Sequence, residues 1–328
     1  MDYMKKWNGI ILMLLAAVLV LSACGSGSGN TAGTGSESGN KEAEQSTDNA
    51  KRTVETIMGK VEVPAHPQRV VVLTNEGTEA LLSLGIKPVG AVKSWTGDPW
   101  YPHIKDQMQG VENLGEEGQP NVEAIAALKP DLILGTKMRQ EKIYDQLSAI
   151  APTVFSETLR GEWKENFKLW ADAVNMKDKG DEVLAAYDKH VADLKAELGD
   201  KLKTKVSMVR FMPGKARIYY SETFSGLILN ELGFARPKAQ EKQGFADDVG
   251  KERIPEMDGD ILFYFTYETG DGKGSEMEKE WTNDNLWKNL DVVKKGNAHK
   301  VDDVIWNTAG GVLAANLMLD QLKTYFVK

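Results

Sequence analysis

Val122–Leu134 reads VEAIAALKPDLIL. Its first half is a short helix pattern, closed by Lys129-Pro130. Its second half, Asp131–Leu134, is a continuous apolar run of strand length. Glu252–Phe263, ERIPEMDGDILF, repeats the arrangement. In each copy a glutamate, Glu123 or Glu252, stands eight positions before an aspartate, Asp131 or Asp260, that opens an apolar strand. A helix followed by a fully apolar strand belongs to a parallel sheet covered on both faces. Two copies at equal offset imply two such units. An acidic residue at a helix start also suits the helix dipole, so capping alone explains the glutamates at this stage.

Reading outward, Arg69–Leu73 (RVVVL) is a strand and Thr78–Leu84 a helix stopped at Gly85, with Pro88 just beyond. Val89–Val92, Asp131–Leu134 and Thr153–Phe155 are further strands, with helices over Asn121–Leu128 and Gln140–Leu147. From about Glu162 to Leu198 no apolar strand occurs. Val183, Leu184, Tyr187, Val191, Leu194 and Leu198 fall on one helical stripe, with Gly180 as a possible break before it and Gly199 as a stop. The α/β pattern then returns: strand Lys205–Phe211, helix Ser225–Leu232, short helix Glu252–Met257, strand Ile261–Phe265, closing helix Val312–Phe326. Ala80–Pro88 (ALLSLGIKP) and Leu227–Pro237 (LILNELGFARP) are a second echo between the halves. The expected fold class is α/β, two Rossmann-like lobes joined by a single long α-helix.

The start of the chain is different. Lys5 and Lys6 precede an apolar run from Ile10 to Leu21, and Leu21-Ser22-Ala23 leads to Cys24, the only cysteine. That is the layout of a secretory signal, too short for a comfortable membrane span. A lone cysteine outside the cytoplasm forms no internal disulfide. Gly25 to about Ala50 is Gly, Ser, Thr, Asn and Glu, the composition of a flexible tether. The expected organisation is a signal peptide over 1–23, a tether over 24–50, an N-terminal lobe over 51–160, a helical linker over 161–200 and a C-terminal lobe over 201–328. Hydrophobic content of 41% and charged content of 27% are those of a globular protein. Net charge is −8, and near −9 without residues 1–23, which argues against a nucleic-acid surface.

Several stretches resemble one family. RVVVL, EALLSLGIKPVG, PNVEAIAALKPDLILG, SGLILNELGF, ERIPEMDGDILFYF and the closing LWKNLDVVKKGNAHKVDDVIWNTAGG (Leu286–Gly311) occur in one order from Arg52 onward. Together they resemble the iron-siderophore and cobalamin substrate-binding proteins of ABC importers, of the class III, two-lobed type. The nearest likeness is to Bacillus-type lipoproteins for hydroxamate and citrate-hydroxamate siderophores. The resemblance implies a ligand cleft between lobes and docking of Glu123 and Glu252 on a permease dimer. It also implies a diacylglycerol on Cys24, which anchors the protein at the extracellular face of a Gram-positive cell membrane. The expected partners are therefore a ferric siderophore, the permease and the membrane, with no nucleic acid. A monomer is expected. No cofactor or protein metal site is implied, because the siderophore holds the iron.

In open parallel sheets, ligands lie beyond the carboxyl ends of the strands. The polar and aromatic residues there are Trp95, Arg139, Arg210, Arg217, Tyr219, Tyr267 and Trp306. Arginine forks suit carboxylate, hydroxamate or catecholate oxygens, and the aromatic rings add rigid contact area. Haem or cobalamin on the same fold is the alternative. The four histidines, His66, His103, His190 and His299, do not fall in a metal-site pattern. A secreted enzyme is the remote alternative: no G-x-S-x-G, P-loop or H-E-x-x-H pattern occurs, so no catalytic residue is expected.

Overall fold

The computed structural model describes residues 50–327. The signal, the tether and Cys24 lie outside the described residues. The chain opens with a hairpin, β1 (Lys51–Thr56) against β2 (Gly59–Pro64). The apolar patterning did not anticipate it, because only Val54 and Val63 are buried. Next come β3 (Val70–Val72), α1 (Asn75–Ser83), β4 (Gly90–Ala91) and β5 (Glu112–Asn113). A very small hairpin, β6 (Gly115–Glu116) and β7 (Gln119–Pro120), leads into α2 (Val122–Ala127) and β8 (Leu132–Thr136). α3 (Lys137–Gln140), α4 (Tyr144–Ser148) and β9 (Thr153–Ser156) complete the first lobe. Its sheet runs β5-β4-β3-β8-β9, all parallel.

One helix was expected over Gln140–Leu147. Two short helices and an intervening turn replace it, because the Gln140 side chain is drawn into the core. There it accepts from the Thr136 N–H (2.9 Å) and donates to the carbonyls of Leu73 (3.1 Å) and Glu117 (2.6 Å).

The linker region is two helices, α5 (Trp163–Ala173) and α6 (Lys177–Leu198), broken at Asn175, whose φ is +58°. Gly180 is not the break. It sits inside α6, where a Cβ would come within 2.6 Å of the Ala171 Cβ, so it permits close contact between the two helices. α6 buries Leu184, Tyr187, Val191, Leu194 and Leu198. Each such side chain contributes roughly 1.5–3 kcal/mol when fully removed from water.

The second lobe contains β10 (Val206–Met212), β11 (Lys215–Tyr219), α7 (Phe224–Leu232), β12 (Ala246–Val249) and β13 (Ile261–Thr266). It closes with α8 (Lys273–Thr282), α9 (Asn285–Asn289), α10 (Asp291–Lys294), β14 (Ala298–Lys300) and α11 (Val312–Phe326). Its sheet, β12-β11-β10-β13-β14, is mixed and not wholly parallel as expected. β10 turns directly into β11 through Pro213-Gly214, and a short turn can join only antiparallel neighbours. Glu252 lies in a 3₁₀ turn, Lys251–Met257, interrupted by Pro255.

The two echoes have structural counterparts. Asp131 accepts from the backbone N–H groups of Gln68 (2.7 Å) and Arg69 (2.9 Å), which lead into β3. Asp260 accepts from Lys205 N–H (2.8 Å), which leads into β10. Thr74 caps α1 at Gly77, and Thr223 caps α7 at Gly226. Trp163, Trp170, Trp281 and Trp287 are buried in the core.

Candidate ligand-binding cleft

On the C-terminal side, Arg210 and Arg217 face each other across the β10–β11 ladder, which puts both side chains on one face of the sheet. The buried Arg210 is held on three sides. Its Nε and Nη2 donate to the two Asp303 oxygens (2.6 and 3.0 Å), and its Nη1 donates to the Tyr219 hydroxyl (3.1 Å). The Tyr267 ring lies 5.0 Å from its guanidinium carbon. Burial opposes the charge, but Tyr219 and Asp303 outweigh it and hold the guanidinium above its ordinary pKa. Arg217 donates to Asp248, whose carboxyl is held below its usual range by that bond.

On the N-terminal side, Arg139 from α3 lies 5.7 Å over the Trp95 ring, a cation–π distance. Arg160 follows β9 with φ +66°, and its backbone N–H donates to Glu76. Glu76 also accepts from Asn166 Nδ2 (2.8 Å), and burial pushes its carboxyl up to about 8. Both arginines approach one carboxylate oxygen, Glu117 Oε1: Arg139 Nε at 3.4 Å and Arg160 Nη2 at 4.0 Å. The Arg160 side chain lies against Gly310 of the second lobe, where a Cβ would come within 2.7 Å of its Cγ.

These walls enclose a cavity of about 310 Å³ that carries all four arginines with Trp95 and Tyr267. A second hollow of about 570 Å³ shares Arg139, Arg160 and Phe245 with it and adds Met138, Leu159 and Leu227. Two buried polar atoms on the inner wall, Trp95 Nε1 and Asn307 Oδ1, have no hydrogen-bond partner. Buried polar groups are seldom left so, and their placement suits a bound ligand. Among the described residues no group of three or more His, Cys, Asp and Glu side chains could hold a metal ion.

The model of the family described as "Periplasmic binding protein" matches residues 70–303. The probable siderophore-binding lipoprotein YfiY of Bacillus subtilis is 56% identical over 99% of both chains. The Fe(3+)-citrate-binding protein YfmC of the same organism is 31% identical, again over 99% of both. The crystal structure of Staphylococcus aureus SirA complexed with staphyloferrin B superimposes with a TM-score of 0.77 at 37% identity, covering 83% of this chain and 97% of that one.

The chain belongs to the periplasmic binding protein family.

In this binding protein, five of the seven residues expected at the ligand share the inner cavity: Trp95, Arg139, Arg210, Arg217 and Tyr267. Tyr219 is fully buried beneath Arg210, where its hydroxyl accepts from Arg210 and its ring lies 5.7 Å from that of the wall residue Phe245. Trp306 is not on the wall. A π-helical turn over Val304–Thr308 brings Asn307 and Thr308 to the cavity and turns Trp306 into the core. There its ring lies 4.7 Å from that of Phe263 and its N–H donates to Gln321 (2.7 Å). The sequence reading missed Arg160, Met212, Phe245, Asn307 and Thr308. Arg160 alone had a signal, a basic residue beside a glycine shortly after a strand end. Glu123 and Glu252 are exposed, and neither is engaged by a lysine or arginine among the described residues.

Two outcomes follow from this geometry. Arg210→Ala strands the buried Asp303 carboxylate and should lower unfolding stability by about 3–5 kcal/mol in denaturant melts. A loss below about 1 kcal/mol would show that the pair is not buried as described. Glu76 has a folded pKa of about 8, above its ordinary 4.5, so the folded state binds the extra proton between those values. Stability should fall as pH rises through that window, by at most about 1.4 kcal/mol per pH unit from this group. Glu76→Gln should flatten the decline, and an unchanged slope in melts from pH 5 to 8 would exclude Glu76 as its source.

Proposed function

We propose that this protein is an extracellular, lipid-anchored receptor that binds a ferric siderophore in the inter-lobe cleft and delivers it to an ABC permease. The observation that carries this reading is the inner cavity: four guanidinium groups and two aromatic rings converge on a space between two lobes. Ferric siderophores are bulky oxygen-ligated complexes, many of them anionic. Arginine offers such oxygens planar, charged donor pairs, and the rings of Trp95 and Tyr267 give rigid faces for the ligand's carbon skeleton. The relatives support the same reading, one described as siderophore-binding and one solved with staphyloferrin B. The siderophore carries the iron, and the protein performs no bond chemistry on it.

Carboxylate and hydroxamate oxygens are the ligand groups we favour, with citrate-hydroxamate chelates as the leading class. The lipid on Cys24 holds the receptor beside its transporter, a role consistent with the lipoprotein description of its 56%-identical relative. Glu123 and Glu252, each in a first helical turn and exposed, are the proposed contacts to a permease dimer.

Titration of the soluble domain, followed by the fluorescence of Trp95 and its neighbours, tests the cargo. Ferric hydroxamate or citrate-hydroxamate chelates should quench at micromolar or lower concentration. Quenching by haem or cobalamin alone would overturn the reading. A second measurement tests docking. Glu123→Arg with Glu252→Arg should abolish iron uptake in cells while leaving affinity for the ferric chelate within about twofold, a change of less than 0.5 kcal/mol. Lost affinity in the double variant would remove the glutamates from a docking role.

A further inference from the structure

Glu117 lies at the two-residue turn of the β6–β7 hairpin, between Glu116 and Gly118, yet only 2% of it is exposed. Turn tips usually face water. Here the turn folds inward and is fixed from several sides. Glu117 Oε2 accepts from the backbone N–H of Asn75 (3.0 Å) and from Asn75 Nδ2 (2.9 Å), and the Glu117 carbonyl accepts from Gln140 Nε2 (2.6 Å). Oε1 is left over. It is buried, makes no hydrogen bond, and points at Arg139 and Arg160.

The four cavity arginines are therefore compensated unequally. Arg210 has Asp303 to itself, and Arg217 pairs with Asp248, whose other oxygen meets Lys215, a residue outside the cavity. Arg139 and Arg160 share Glu117. Glu76 accepts from the Arg160 backbone N–H and from Asn166 Nδ2, and it pairs with neither guanidinium. Glu162 and Glu222 stand on the outer hollow, where both are solvent-exposed and screened. Within contact distance, the two guanidiniums of the N-terminal wall thus have one carboxylate between them, and one positive charge is left over.

We infer that Glu117 is the charge selector of this cleft: by cancelling one of two paired guanidiniums, it sets the site to prefer ferric chelates of low negative charge over highly charged ones. The argument rests on the proposal above that the cargo is a ferric chelate. Attraction between ligand and site grows in proportion to the ligand charge, whereas the cost of stripping water from the ligand grows as its square. The preferred ligand charge therefore rises with the charge of the site. Glu117 acts through Arg139 and Arg160 and is a positioning residue, since it is not itself on the cavity wall.

The test compares wild type with Glu117→Gln, which keeps an oxygen for Asn75 and removes the charge. Three probes are used: a neutral ferric trihydroxamate, a monoanionic ferric dihydroxamate-hydroxycarboxylate and a trianionic ferric tris-catecholate. The variant should shift the ratio of trianion to neutral affinity by about tenfold or more toward the trianion, as an added unit charge at short range predicts. Its trianion affinity should also fall more steeply with salt, and Glu117→Asp, which keeps the charge, should retain the wild-type ratio. A purely structural role would weaken all three probes alike. Equal weakening, or a ratio unchanged within about twofold, overturns the inference while leaving the ferric-chelate reading intact. If wild type binds none of the probes, that reading fails and takes the inference with it. Should Glu117→Gln not fold, Arg139→Gln removes the surplus charge from the exposed side and must shift the ratio the opposite way; an unmoved ratio overturns the inference.

Discussion

The cleft depends on helix-on-helix packing between the lobes. α6 presses its apolar stripe against α5, α7 and α11, and α11 in turn packs on α1 of the first lobe. A buried carboxylate ties the same seam. Glu79 of α1 pairs with His103 (2.5 Å) and accepts the Ala314 N–H (3.0 Å) at the start of α11. Breaking that contact would strand polar groups in a fully buried setting. The lobes therefore share one continuous core and do not hang from a flexible strand pair. Arg160 shows why this matters: its side chain belongs to one lobe and rests on Gly310 of the other. A rigid seam keeps the two walls at one spacing, so little ordering is left to oppose binding.

That spacing brings four guanidiniums together, and like charges this close would repel in a half-buried site. The structure answers with carboxylates set behind the wall, leaving some guanidinium N–H groups free for a ligand. Arg210 shows the limit of the device. Three of its N–H groups are already committed to Asp303 and Tyr219, so its contribution to a ligand is smaller than its position in an apolar strand implies. Arg139 and Arg160 are less committed. Neither forms a hydrogen bond to Glu117 Oε1, and Arg139 is the more exposed of the two.

Local pattern carried much of the fold. Helix α11 has the same bounds in sequence and structure, and the β8 and β13 strands were visible as apolar runs behind an aspartate. These features are read from nearest neighbours. What was not legible depends on distant partners. Gln140 broke an apparent helix because Leu73 and Glu117 claim its amide. Trp306 and Asn307 exchanged roles because a π turn advances the helical phase, and one residue of phase decides which side chain meets the cavity. Nothing local in EEGQP shows that the Glu117 carboxylate points inward, and Glu117 is absent from the expected site.

The internal echo explains which differences between the lobes matter. The aspartate clamps at Asp131 and Asp260 and the threonine caps at Thr74 and Thr223 occupy matching places, and both serve the scaffold. The cleft walls do not match. The C-terminal wall holds its two arginines on strands locked in a ladder, Arg210 against Asp303 and Arg217 against Asp248, which the half-exposed Lys215 also reaches. The N-terminal wall gives two arginines one carboxylate, on a hairpin turn and on short segments after β8 and β9. A ladder cannot move one residue without moving its neighbours, whereas Glu117 Oε1 makes no hydrogen bond, so its charge can change while Oε2 keeps its bonds to Asn75. The scaffold thus places adjustable charge on one wall and fixed charge on the other. Ligand preference in this cleft should accordingly be decided on the N-terminal wall, by the balance between Glu117 and its two arginines.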